Sequence, residues 1–508
     1  MFQNRMNYPN IVGIVLCCAI ALLSLRNLSA EIGLTSQPEP LGYPYSVDDP
    51  ADTIAEEEAG SIWPPAKRAD DLQVPAGFDP VRSTGFSENP KELLSWFKEP
   101  APASCCDRNI VDRLWMGPGE LAYHKAPNHK PCTRDHTRVF RTEFPGRLWF
   151  STEYLIWATT GQAIPPLITS SPFVPITTAG IGVLGQPTTS TLFGGTSFDG
   201  PMRSGARLTA GFWFTPQEDR GIEASWFGLA ITKKSFNLST TGGNPYLARP
   251  YIDANTGQPA AVVIPKPGLQ PSTNPTLLDQ TADAALRSQF GSVDVLYRYN
   301  TTKGEDFHRR YWAGGFRYLM LEDQLAVNLS SSVSTGATSF DTYTASDSFR
   351  TLNQFYGGEF GMIEKWWRDR WSLQVLGKVA LGATTVSTRI NGITTETATT
   401  SAGITSTFPG GVLAQPTNPG NERSLFAAAG EFGVTADYAI WSQFRLSVGY
   451  SLIYWTTVGR VTDQIDPSVN SQQFGGNTIT SGPLEPSFNL WTTGFLAQGI
   501  NAGLEYQF

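Results

Sequence analysis

The sequence predicts an all-β chain: an antiparallel transmembrane β-barrel of about ten strands, preceded by a mostly irregular N-terminal region. Three observations predict it. The chain opens with a secretory leader. From Gly146 onward apolar residues alternate with small or polar ones, and long connections take turns with short ones.

The leader comes first. Arg5 supplies a positive start, Ile11 to Leu25 is an apolar run, and Asn27-Leu28-Ser29-Ala30 offers small residues for cleavage. Residues 1–30 therefore read as a signal peptide. The run is shorter than the roughly 20 residues that a membrane helix needs. Cys17 and Cys18 lie inside it, but neither follows the small residue that a lipoprotein signal requires. No later segment is long and apolar. A membrane-spanning role then requires a closed barrel, because lipid offers no partner for an exposed backbone amide or carbonyl.

Residues 31–103 are rich in Pro, Asp, Glu and Ser and read as a flexible segment. A short helix can interrupt them, with Asn89 as cap, Pro90 at the first position and Leu93, Leu94, Trp96 and Phe97 on one face. Residues 104–145 hold Cys105, Cys106 and Cys132 with His124, His129 and His136, and are expected in the periplasm. The adjacent pair and the missing Cys-x-x-Cys fit no zinc or haem spacing. In an oxidising envelope the expectation is a disulfide from Cys132 to Cys105 or Cys106, with one cysteine left over and no metal.

Residues 146–508 carry the barrel. Candidate strands are Arg147–Thr159, Ser204–Pro216, Gly221–Phe236, Gly291–Asn300, His308–Leu321, Leu352–Glu364, Trp371–Arg389, Leu425–Tyr438, Gln443–Thr457 and Phe495–Phe508. The long links are Thr160–Arg203, Asn237–Leu286, Glu322–Thr351, Ile390–Ser424 and Val458–Gly494. The short ones are Gln217–Arg220, Thr301–Phe307, Lys365–Arg370 and Ala439–Ser442. Tight periplasmic turns against long outer loops are the habit of membrane barrels.

Charges fall on the polar faces. Arg207, Glu223, Asp294, Arg298, Arg317, Glu359, Lys378, Glu431, Asp437, Arg445 and Glu505 are the candidates to line a lumen, since a charge facing lipid costs about 2–4 kcal/mol at mid-depth. Aromatics gather at strand ends and suggest two girdles: Trp366, Trp367, Trp371 and Trp441 at the short turns, Trp157, Trp226, Tyr454 and Trp455 at the long loops. The last octet puts Asn501, Gly503, Tyr506 and Phe508 where outer-membrane proteins carry a C-terminal assembly signal, read by the assembly machinery as an added strand.

Several segments together resemble the putative beta barrel porin-7 family. They are Trp149-Phe150-Ser151-Thr152-Glu153-Tyr154-Leu155-Ile156-Trp157, Gly315-Phe316-Arg317-Tyr318-Leu319, Asn353-Gln354-Phe355-Tyr356-Gly357-Gly358, Gly377-Lys378-Val379-Ala380-Leu381-Gly382 and Val448-Gly449-Tyr450-Ser451, with the terminal strand. The resemblance implies an outer-membrane barrel and supplies no catalytic residues.

Composition limits the function. Charged residues are 16% and aromatics 12%, with 49 Gly, and a net charge of −8 gives no case for nucleic acid. An enzyme is not expected: His308 is the one barrel histidine, beside a short turn with Glu305 and Asp306, and no cofactor motif is present. The first reading is a narrow porin-like channel. The alternative is a structural or surface-interaction barrel without an open pore. Expected partners are outer-membrane lipids and the barrel-assembly machinery, with a small solute or surface partner left open.

Overall fold

The computed structural model describes residues 147–172, 180–198, 202–265, 276–302, 307–335, 339–398 and 404–508. The leader, the segments 31–103 and 104–145, the helix at 89–97, the cysteines, Glu305 and Asp306 lie outside the described residues.

Ten strands form the barrel: β1 Leu148–Thr159, β2 Arg203–Trp213, β3 Arg220–Leu229, β4 Thr276–Asn300, β5 His308–Ser334, β6 Phe340–Arg368, β7 Trp371–Ala398, β8 Glu422–Ala439, β9 Phe444–Val458 and β10 Thr493–Gln507. Each pairs antiparallel with the next, and β10 pairs with β1, so the sheet closes on itself without edges. At the closure Phe150 faces Tyr506, and the Phe508 amide donates to the Leu148 carbonyl at 3.0 Å. The first and last strands thus meet at the short-turn end. Tight turns there use strained positions: Asp369 (φ 51°) sits between β6 and β7, and Glu218 (φ 56°) between β2 and β3.

The period-two pattern sorts side chains to two faces. Tyr154, Leu208, Tyr297, Phe316, Phe360, Val379, Phe432, Val448 and Ile500 point outward and are left exposed by the protein. Their neighbours in sequence point inward, and most are buried. A belt of apolar side chains open to the outside is what a hydrocarbon solvent requires.

Strands β4 to β7 are far longer than a membrane needs. They run 25, 27, 29 and 28 residues, against roughly 9–11 for a tilted membrane strand. The outward face changes chemistry partway. On β5 it passes from Trp312, Phe316, Tyr318 and Met320 to Glu322, Gln324, Asn328, Ser330 and Ser332. On β6 it passes from Phe360, Tyr356 and Leu352 to Arg350, Ser348, Ser346 and Thr344. Beyond that line the strands form a wall with polar cross-strand pairs, such as Ser330–Thr344 and Ser332–Thr342, both 2.9 Å.

The structure corrects three expected links and one expected strand. Glu322–Thr351 is mostly strand, shared between the far halves of β5 and β6. Asn237–Leu286 takes in the second half of the strand Thr232–Thr241, the hairpin Tyr246–Asp253 with Gln258–Val262, and the first part of β4. Ile390–Ser424 continues β7 and adds Ile404–Pro409 beside it. Gly221–Phe236 is interrupted at Ala230 and Ile231, where the register against β4 slips by one between Gly228↔Gly291 and Thr232↔Ser288. That bulge turns Phe236 and Leu238 inward, where they pack on the cap described next.

The remaining long-loop segments fold into a cap on the inner face of the wall. Leu167, Ile168, Phe193, Leu247 and Val461 from the loops meet Leu286, Leu325, Val327, Leu329 and Phe349 from the wall in one buried cluster. Among the described residues no helix is long and apolar enough to cross a membrane.

Candidate functional site in the barrel interior

The inward face is built in layers. Nearest the short turns, Trp149, Trp213, Leu296, Tyr311, Ala313 and Ile363 cluster, with the Trp213 and Tyr311 rings stacked 5.5 Å apart. The Arg298 guanidinium lies over Trp149 at 5.6 Å and pairs with Glu223 at 2.7 Å. Around this layer Lys365 pairs with Asp437 (3.2 Å) and Arg445 with Glu505 (3.4 Å).

The next layer is charged. Arg317 Nη1 lies 3.0 Å from Glu359, and Nη2 lies 3.1 Å from Asp294 and also contacts Glu431. Lys378 Nζ lies 2.9 Å from Glu431, 3.4 Å from Asp294 and 3.7 Å from Glu359. Arg207 joins Glu431 at 3.4 Å to Glu153 at 3.5 Å. The strand register puts them there: Asp294 faces Arg317 across β4 and β5, and Lys378 faces Glu431 across β7 and β8. Ions in this position lose most of their hydration, and only close opposite charges offset that cost. Asp294 Oδ1 and Glu359 Oε2 accept no hydrogen bond among the described residues, so charge rather than saturated hydrogen bonding holds the layer.

Above it lies an apolar layer. Arg207 marks the boundary, with its guanidinium over Trp157 at 5.3 Å and Phe227 at 5.6 Å. Leu155, Trp157, Phe227, Phe290, Leu319, Phe355, Ile453, Trp455 and Phe495 come from seven strands and meet at the barrel axis. None of the nine is more than 2% exposed. Trp455 Nε1 donates to Thr384 at 2.8 Å, which settles its one polar atom.

Buried ion pairs then fasten the cap. Arg460 Nε donates to Asp323 at 2.7 Å and its Nη1 to the Thr160 carbonyl at 3.1 Å. Arg203 caps the bulge carbonyl of Ala230 (3.0 Å) and that of Ser288 (2.6 Å). Higher still, the Asp347 carboxylate accepts from the amides of Val412, Leu413 and Ala414 at 2.9, 3.1 and 3.0 Å and from Arg249 at 2.6 Å. In the cap, burial pushes the Asp466 carboxyl up from its ordinary range. Glu485 beside it adds to the rise, against the amides of Ser468 and Ser487 that donate to it.

Each of the eleven charges named from the sequence sits in one of these pairs. Sequence reasoning missed Glu153, whose inward phase is set by its place two residues before Leu155, and the pairs Arg249–Asp347 and Arg460–Asp323, which join distant segments. Three of the girdle aromatics are corrected, Trp367 among them, whose ring lies 5.8 Å from both Arg309 and Lys365 on the inner face. Trp157 and Trp455 are fully buried and turn inward into the apolar layer, because they share the phase of Glu153 and Ile453. Tyr454 does face outward, as do Trp371 and Trp441 at the other end.

The terminal octet splits between the faces. Asn501 is buried, with Nδ2 donating to Glu153 at 3.1 Å, while its Oδ1 accepts from Ser451 at 3.3 Å. At Gly503 a Cβ would come within 2.4 Å of the Thr152 carbonyl, so the close strand approach admits only glycine. Tyr506 and Phe508 lie outward, their rings perpendicular and 4.6 Å apart. His308 contacts Glu364 and stacks on Trp366 at 5.5 Å, at the short-turn end.

No curated protein matches the chain. Among solved structures, the outer membrane protease OmpT from Escherichia coli is similar over 71% of this chain and 96% of its own, at 10% identity and a TM-score of 0.31. The toluene transporter TodX from P. putida covers 72% and 90%, at 8% identity and a TM-score of 0.19. A FadL homologue from Pseudomonas aeruginosa covers 71% and 89%, at 7% identity and a TM-score of 0.18. These likenesses are too slight to bear on what this chain does. The family comparison is decisive: a family model described as putative beta barrel porin-7 matches residues 149–508, and that description is of a porin, not an enzyme. The chain therefore belongs to the putative beta barrel porin-7 family and is an outer-membrane β-barrel.

Proposed function

We propose that this is a closed outer-membrane barrel whose task is to hold a folded cap at the cell surface, and that it conducts no solute in this state. The carrying observation is the sealed axis, where Trp157, Phe355, Trp455 and Phe495 are fully buried directly above the Arg317 charge layer. A porin needs a wet lumen. Here the lumen is filled by side chains in the way that narrow barrels allow. The short turns face the periplasm and the cap faces out, a direction supported by the even strand number and by β1 and β10 both ending at the short-turn side. Tyr506 and Phe508 serve the assembly machinery as outward-facing landmarks on the strand that closes the ring.

Planar-bilayer recording of the purified full chain tests the reading. Silent membranes at moderate voltage are expected, with insertion verified separately by a heat-modifiable band. Steady ohmic steps would restore the channel reading.

A further inference from the structure

The outward face of the wall carries a row of four cations, of which the protein itself neutralises only one. Lys233 opposes Arg287 on β4, Arg287 opposes Gln324 on β5, Gln324 opposes Arg350 on β6, and Arg350 opposes Arg389 on β7. All five positions share the outward phase. Lys233, Arg287 and Arg389 are exposed and Arg350 is half-buried. Arg350 pairs with Glu322 at 2.7 Å. Among the described residues the other three cations have no ion pair. The nearest further carboxylate by register is Glu422, which opposes Ser387 and lies diagonal to Arg389 without pairing with it.

Two of these contacts set like charges directly opposite, Lys233 against Arg287 and Arg350 against Arg389. Such pairs are destabilising unless something supplies the counter-charge. The row's place says what that is. On β6, Arg350 is the next outward residue after the apolar Leu352. On β4, Arg287 stands four residues, about 13 Å of strand, beyond Gly291. The row therefore faces away from the cap on the long-loop side of the lipid belt, and borders that belt at Arg350. Guanidinium groups suit phosphate, which they grip with two parallel N–H donors.

We propose that Lys233, Arg287, Arg350 and Arg389 bind the phosphates of anionic lipid headgroups in the leaflet at the long-loop end. Bound lipid then relieves the like-charge contacts and fixes the depth of the barrel.

Native mass spectrometry of the purified full chain tests this. The protein is mixed with equal amounts of phosphatidylglycerol and phosphatidylcholine, and retained lipids are counted. A cation near an anionic surface favours it by about fivefold, so the wild type should retain phosphatidylglycerol at least about fivefold over phosphatidylcholine. The K233Q/R287Q/R389Q variant should bring that ratio close to unity while keeping its heat-modifiable band. Should the triple variant not fold, R287Q and R389Q alone must each lower the ratio. A wild type without preference, or a folded variant with an unchanged ratio, overturns the proposal.

Discussion

Replacing Arg317 by Met asks whether the barrel axis is dry. In the wild type the Arg317 guanidinium, about 1% exposed, touches Asp294, Glu359 and Glu431 at once. Methionine fills much of the volume but leaves those three carboxylates facing Lys378, with Arg207 reaching only Glu431. Breaking a buried pair from one side costs about 3–5 kcal/mol, because the partner charge stays desolvated. If the lumen were open and wet, the same change would cost at most about 1 kcal/mol, as for a surface pair. Urea unfolding of the barrel reconstituted in lipid vesicles measures the difference. A second change, Glu359→Gln, removes the carboxylate that depends on Arg317 and Lys378 alone. R317M/E359Q should recover about 1–2 kcal/mol, a coupling of the size expected between contacting groups. A loss below about 1 kcal/mol in R317M, with no recovery in the double variant, would refute the dry-axis reasoning.

Three further outcomes follow from the geometry. Asp347→Ala takes away the acceptor of three loop amides and the partner of Arg249, so the 404–421 segment should become protease-sensitive, at a local cost of about 3–5 kcal/mol, while the barrel keeps its heat-modifiable band. Replacing Phe508 by Ala, which removes an exposed ring packed on Tyr506 and keeps the amide that donates to the Leu148 carbonyl, should change the stability of refolded protein by less than about 1 kcal/mol yet sharply reduce membrane assembly in cells. Asp466 has a raised carboxyl pKa in the folded cap, so protonation favours the fold. Its stabilising effect is complete below the unfolded-state pKa and is lost as pH rises through the folded value. Cap protection, read by hydrogen exchange at residues 461–476, should therefore increase on acidification from neutrality, and Asp466→Asn should flatten that dependence.

The barrel was legible because its two faces meet different solvents. Leu208 against Arg207 and Tyr297 against Arg298 announce the phase of a strand, and the apolar stretch between two polar switches measures the belt. Strand length was not legible for the same reason. At Glu322, Arg350 and Arg389 the outward face has left the hydrocarbon, the contrast between faces fades, and a continuing strand reads as a polar loop. The expected ends Leu321 and Leu352 mark the belt rather than the strands. Within the lumen, charges were easy to place because lipid forbids them outside. The apolar layer was hidden, since in Leu155-Ile156-Trp157 both faces are apolar and alternation vanishes. Only the phase carried forward from Glu153 assigns Trp157 inward. The pairs that fasten the cap have no local signal at all. Arg249 and Asp347 stand 98 positions apart and meet only when the wall and the loops have both formed.

Thiol labelling at two adjacent positions of β7 tests the closed axis most directly. In a chain whose own cysteines are replaced by serine, Ala380→Cys places a sulfur on the fully buried inner face and Leu381→Cys one on the outer face, where Leu381 is 56% exposed. In intact membranes a water-soluble maleimide should label neither, and a lipid-soluble one should label only position 381. Fast labelling of position 380 by the water-soluble reagent would mean that water fills the barrel, and the closed-axis account would be wrong.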